Sequence, residues 1–138
     1  MADVGKAMRT RLLSVSAVTN LVGTRIYPLT LPQGVTLPAV RYQRISGNSD
    51  NYVAGTTGAA MARIQFDVFA NSYASGEALR EAIRQAIDQF TGTSSGVIIH
   101  SCNAANHMDL FDFPVHGDSA GRYQMVSDYE IVHSETAL

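Results

Sequence analysis

The chain carries one long helical period and no second one. Between Ser72 and Gly92, "SYASGEALREAIRQAIDQFTG" returns Leu79, Ile83, Ala86, Ile87 and Phe90 at spacings of three and four, with Arg80, Glu81, Arg84, Asp88 and Gln89 on the other side. The pattern predicts an amphipathic helix with Ser75 as N-cap, Glu77 near the positive end of the dipole and Gly92 as an αL C-cap. Just before it, Ile64, Phe66 and Val68 alternate with Arg63, Gln65 and Asp67, the period of a strand with one buried face. One long helix cannot supply the repeated crossovers of a parallel sheet, so the chain is constrained toward α+β with largely antiparallel pairing.

The remaining segments fit around that pair. Val4, Met8 and Leu12 form one stripe of a first helix, and Val18, Leu21 and Val22 a short second one closed by Gly23, with Ser14 or Ser16 as its N-cap. Arg25 to Tyr27 is a brief extended piece, because Pro28, Pro32 and Pro38 lack N–H donors and impose a rigid loop with a turn at Gln33 and Gly34. From Pro38 to Ser46, Val40 and Tyr42 alternate with Arg41 and Gln43 until Ile45 spoils the period, which predicts a strand antiparallel to the Ile64 strand. Glycines and small polar residues make Ser46 to Ala60 a mobile hairpin loop. Val97 to Cys102 reads as a short buried strand, Asn103 to Gly121 as irregular, and Arg122 to His133 as a last strand with Tyr123, Met125, Tyr129 and Ile131 on one face. The expected order is ααββαββ: a four- to five-stranded sheet covered on one face by the long helix, in one domain over residues 1–138.

Charge and composition narrow the function classes. Ten basic and twelve acidic residues leave a net charge of −2, so no basic field exists to release counterions from a phosphate backbone, and specific nucleic-acid binding is not expected. Charged residues are only 16% of the chain, which leaves apolar surface for a partner. Cys102 is the single cysteine and cannot form an intrachain disulfide, as suits a reducing cytoplasm. No stretch approaches the ~18 apolar residues of a membrane span, and the first residues make no export signal, so neither export nor a membrane is expected.

His100, Cys102, His107 and Asp109 form H-x-C-x4-H-x-D, the one grouping with ligand-like residue types. On a strand from Val97, His100 and Cys102 would project to the same face, as ligands of a small metal-binding protein or enzyme would. The competing reading is a buried strand cysteine with partly exposed histidines, since structural zinc sites more often pair C-x-x-C units. No G-x-S-x-G elbow occurs, and the "GTTG" at Gly55 to Gly58 lacks the Lys-Ser/Thr pair of a phosphate loop. Asp109, Asp112 and Asp118 read as solvated loop acids, and Arg41, Arg44 and Arg63 are too few for a nucleic-acid patch.

The succession of features carries a further reading. A helical turn ending "LVG", then "RIYP" and "PQG" before "LPAVRYQRI", later "RIQFDVFANSY" leading into "ALREAIRQAI", and finally "GRYQMVSDYEIV" together resemble the tail-completion protein family of long-tailed bacteriophages, related in fold to the lambda tail terminator. The resemblance implies a structural protein of the virion, made in the host bacterial cytoplasm, without catalytic residues or cofactor. It implies a homo-oligomeric ring, typically a hexamer, at the head-proximal end of the tail tube, ending tube polymerisation and meeting the head connector. A connector or stopper role is the alternative within that class, and a metal site at His100, Cys102 and His107 the alternative outside it. Interface candidates on this reading are Pro28, Pro32 and Gln33 on the proline arm, Tyr52 and Val53 in the glycine-rich loop, and Phe111 and Phe113. Prolines that pre-set φ lower the ordering cost of presenting such an arm to a neighbour.

Overall fold

A computed structural model describes residues 3–48, 59–112 and 121–135. The order is α1 (Val4–Leu13), α2 (Ser16–Val22), β1 (Ile26–Pro28), β2 (Ala39–Asn48), β3 (Ala60–Ala70), α3 (Tyr73–Ile87), β4 (Gly92–Ser94), β5 (Val97–Asp112) and β6 (Arg122–Glu135). One mixed sheet runs β1-β2-β3-β6-β5-β4. Among the described residues it has six strands where four to five are expected, and the order is ααβββαβββ. The two additions are three-residue strands, β1 paired parallel with β2 through Ile26↔Val40, and β4 paired antiparallel with β5 through Thr93↔Ile98.

The alternation in β3 does what its period requires. Ile64, Phe66 and Val68 point to one face, where Phe66 meets Tyr129 of β6 edge-on at 5.9 Å and Tyr42 of β2 at 6.2 Å. The register pairs Val40↔Val68, Tyr42↔Phe66 and Ile64↔Tyr129, so three strands contribute to one apolar face. The three helices pack there: Met8 and Leu12 from α1, Val18 and Val22 from α2, and Leu79, Ile83 and Ile87 from α3 share its buried cluster. Each large aliphatic side chain of α3 contributes about 1.5–3 kcal/mol as an upper bound.

Several local details depart from expectation. Helix α3 starts three residues early, capped by Ser72, whose hydroxyl accepts from the amide of Ser75 at 3.2 Å. It ends at Ile87, so Gly92 begins β4 and is no C-cap. Neither Ser14 nor Ser16 caps α2, whose N-cap is Val15 with no side-chain bond, while Gly23 closes it as expected. Helix α1 has a cap that the apolar stripe did not disclose: Asp3 accepts from the amide of Lys6 at 2.9 Å. Gly5 lies against Tyr42 so closely that a Cβ would stand 2.7 Å from the ring, which fixes glycine at this helix–sheet contact.

The largest difference is β5. The segment from Asn103, read as irregular, continues the strand to Asp112 and pairs along β6 as far as Asp112↔Arg122. Two register shifts, Ile99/Ser101 and Ala104/Asn106, interrupt its alternation. Each inserts a residue that turns the following side chains to the other face, which hides the strand from a period-two reading. Ile45 marks a similar shift in β2, between Arg44 and Ser46. Beyond that shift β2 stays paired through Asn48↔Met61, so the ends of the expected Ser46–Ala60 loop belong to strands. The loop's middle, with Tyr52 and Val53, lies outside the described residues, as does Phe113.

Candidate assembly surfaces

The shift at His100 separates the ligand-like residues. Cys102 is fully buried in the core on the helix-covered face. His100 is exposed, its Nε2 2.8 Å from Ser134 Oγ on the opposite face. Burial pushes the Cys102 thiol up to about 12, with the Asp88 charge adding to the effect. His107 returns to the helix side, its Nδ1 3.0 Å from Ser127 Oγ. The sheet therefore stands between His100 and the other two. Among the described residues no three His, Cys, Asp or Glu side chains converge as a metal site would need. The expectation that His100 and Cys102 share a face fails because of the inserted residue.

The arginines are used internally. On the helix-free face Arg41 donates from Nε to Asp67 Oδ2 at 2.9 Å and also from Nη2, while Gln65 donates to Oδ1 at 2.8 Å. Asp67 is fully buried by these partners. Arg63 bridges Asp128 at 3.1 Å and Glu130 at 3.4 Å. Phe69, also buried, is flanked by two guanidinium groups, Arg122 at 4.5 Å and Arg41 at 5.3 Å from its ring centre.

The proline arm crosses this face at its edge. Arg25 holds its far end, accepting from the amide of Val40 at 2.9 Å and donating from Nε to the carbonyl of Pro38 at 2.9 Å. Val35 donates to Pro32 at 3.2 Å around Gln33 and Gly34, and Gly34 takes φ +75°, the value that calls for glycine in this turn. The arm thus forms the expected turn, with Pro32 and Gln33 exposed. It roofs a cleft of about 400 Å³ against Arg41, Phe69 and Arg122.

Two other surfaces occupy opposite edges of the sheet. At the β1–β2 edge, Pro28, Leu29, Tyr42 and Arg44 line a cleft of about 360 Å³. A second, of about 420 Å³, adjoins it through Asp3, Pro28 and Tyr42 and adds Lys6 and Arg9. Leu29 is 63% exposed and held at φ +62°, a left-handed conformation that costs a non-glycine residue about 1–2 kcal/mol. Ile45, at the register shift, is exposed on the same edge.

At the other edge, β4 covers β5 only from Val97 to Ile99. The end of α3 continues the cover: the amide of Gln89 donates to the carbonyl of Cys102 at 2.7 Å, and Asp88 accepts from the amide of Ala104 at 3.1 Å. Beyond Ala104 no strand pairs with the outer side of β5 among the described residues. Met108, Leu110 and Phe111 are exposed there, and Phe111 stacks on Tyr123, which meets Tyr73. Arg80 of α3 holds Asp109 at 2.6 Å and also Glu77. Both carboxylates push the phenol of Tyr73 up, Glu77 more than Asp109.

The structure therefore sets Pro28 and Phe111 on opposite edges and Pro32 and Gln33 over a third cleft, so the described candidates share no single patch. Met108, Leu110, Tyr73 and Leu29 were not read as surface residues from the sequence. The signal for the first two was present, since Met108 and Leu110 alternate with Asp109 and Phe111 across a segment with few other strand marks.

These surfaces belong to a body built of one sheet and three helices, with its buried ionic groups paired in place, a structural component of a phage virion. Residues 6–134 match the family model described as tail completion protein gp17, and the chain belongs to that family. Among solved structures it is similar to a chain of the virion of a native gene transfer agent particle, with 15% sequence identity, a TM-score of 0.62 and coverage of 92% of each chain. At that identity the likeness concerns the fold. No curated protein sequence matches the chain. Among the described residues no helix is long and apolar enough to cross a membrane.

Proposed function

We propose that this chain, acting as one domain over residues 1–138, is a tail terminator: a ring of identical copies at the head-proximal end of the tail tube that stops tube polymerisation and offers the head connector a surface. The observation that supports this reading is the family match over residues 6–134, which reaches from within α1 to within β6 and so takes in part or all of every described element. A ring needs unlike, complementary patches on each subunit and no reacting groups. The described surfaces suit it, because the exposed large apolar side chains other than Leu21 of α2 lie toward the two edges and the buried carboxylates at Asp67 and Asp128 are held by arginines. Six copies is the number the resemblance implies.

Electron microscopy of particles produced without this protein tests the role. Overlong or headless tails are the expected outcome. Tails of normal length that fail to join heads would move the protein to the connector or stopper role. Normal tails joined to heads would overturn both.

A further inference from the structure

We infer that neighbouring copies meet edge to edge, the open edge of β5 on one copy seating against the β1–β2 clefts of the next. This rests on the ring reading above and names the surfaces that would make it. Seven large hydrophobic side chains are exposed among the described residues. Four of them, Tyr73, Met108, Leu110 and Phe111, gather at the end of β5 that no other described strand covers on its outer side, and Leu29 and Ile45 lie on the β1–β2 edge. The two edges are four inter-strand spacings apart in the sheet order, roughly 19 Å along it, so no copy can satisfy its own pair.

Shape and charge both favour a second copy as the occupant. One edge is a single strand, paired with β6 on its inner side and, beyond Ala104, with no strand on its outer side among the described residues; the other is concave, two adjoining clefts walled by Pro28, Leu29 and Tyr42. Among the described residues that line them, Lys6 and Arg9 stand beside the carboxylate of Asp3. Among the described residues Arg9 donates to carbonyl oxygens, those of Ile26 at 2.7 Å and Thr24 at 3.4 Å, and to no carboxylate. The β5 edge has the opposite balance, with Asp109 and Glu77 sharing one guanidinium, Arg80. Joining an acidic apolar ridge to a basic apolar groove brings opposite potentials together and excludes ridge-to-ridge pairing. Because the surfaces differ, the contact is heterologous and repeats from copy to copy until the rotation closes.

Cysteine cross-linking in assembled tails tests the contact. Leu29 and Leu110 are exposed, so Leu29→Cys and Leu110→Cys leave the core intact, and the native Cys102 is fully buried and silent. Tails carrying the Leu29→Cys/Leu110→Cys double variant, treated with a short bismaleimide, are expected to yield a ladder of covalent copies ending in a closed species. Each single variant should give none, and a mixture of the two singles only dimers. Tails of normal length without 29–110 cross-links would overturn this contact while leaving the ring reading standing. Cross-linking of the Leu110→Cys variant to itself would also overturn it, by showing a two-fold contact. Leu110→Glu supplies a second readout: the melting temperature should stay at the wild-type value while rings disappear, and rings that persist would refute the assignment. The fate of the ring reading itself is decided separately, by tail length in particles lacking the protein.

Discussion

On the helix-covered face of the sheet, Phe66, Tyr129 and Ile131 are closed off by the apolar stripes of α1 and α3. On the other face Asp67 is just as inaccessible, yet its neighbours are a guanidinium and an amide. The first face is stabilised by area removed from water, in proportion to what is buried. The second is held by pairing, where desolvating each charge offsets most of the attraction gained. The same strands therefore supply both a stability core and a face of fixed polar geometry, and the two should respond differently to truncation.

The largest loss is expected on the apolar face. Phe66 fills the space between Tyr42 and Tyr129, and Phe66→Ala should cost about 3–5 kcal/mol in denaturant unfolding. On the polar face, Asp67→Ala removes the acceptor of Arg41 and Gln65. Arg41 keeps a 27% exposed side chain and can recover water, so the loss should be smaller, about 1–3 kcal/mol. Asp67→Ala costing more than Phe66→Ala would invert the comparison and make ionic pairing the main support of the sheet.

What the sequence made legible follows the same division. Apolar alternation in β2, β3 and β6 and the stripe of α3 located the helix-covered face, down to Val40, Ile64, Phe66, Tyr129 and Ile83. The polar face was invisible as a structure, since Arg41, Gln65 and Asp67 look like solvent-facing residues until the register brings them together. The same limit applied to β5, where the register shifts at His100 and Ala105 break the period. Strands β1 and β4 are too short to show a period at all, and their pairing is set by β2 and β5. Pro28 and Phe111 were legible as candidates because of residue type, but which edge each occupies is a property of the strand order.

Cys102 reports on the apolar face without altering it. Its thiol, raised from 9.0 to about 12 by burial, favours the neutral form in the folded state. A folded pKa above the unfolded one means the stabilisation is fully present below about pH 9 and is lost as pH rises toward 12. Unfolding free energy measured across that range should fall for the wild type and fall less for Cys102→Ala. At pH 8, labelling by a thiol reagent should be negligible in the native protein and accelerate in Phe66→Ala in step with its lost stability. Fast labelling of the wild type would show that this face opens locally, and the contrast between faces would narrow.

The smallest effect is expected from an ion pair with the same chemistry as Arg41–Asp67 but no burial. Glu81 on the outer side of α3 accepts from Arg84 Nε at 2.9 Å, and hydrogen bonds from Arg84 and Gln85 lower its carboxyl pKa to about 2. The depressed value means that stabilisation is present above the ordinary 4.5 and is lost as pH falls through about 2. Both partners stand in water, where salt screens the attraction and side-chain ordering opposes it. The melting temperature of Glu81→Gln should therefore lie slightly below wild type at pH 6 and low salt, and coincide with it at pH 2 or in 1 M salt. A difference that survives high salt would mean that the pair is shielded from solvent, and burial would then no longer be what separates it from the Asp67 network.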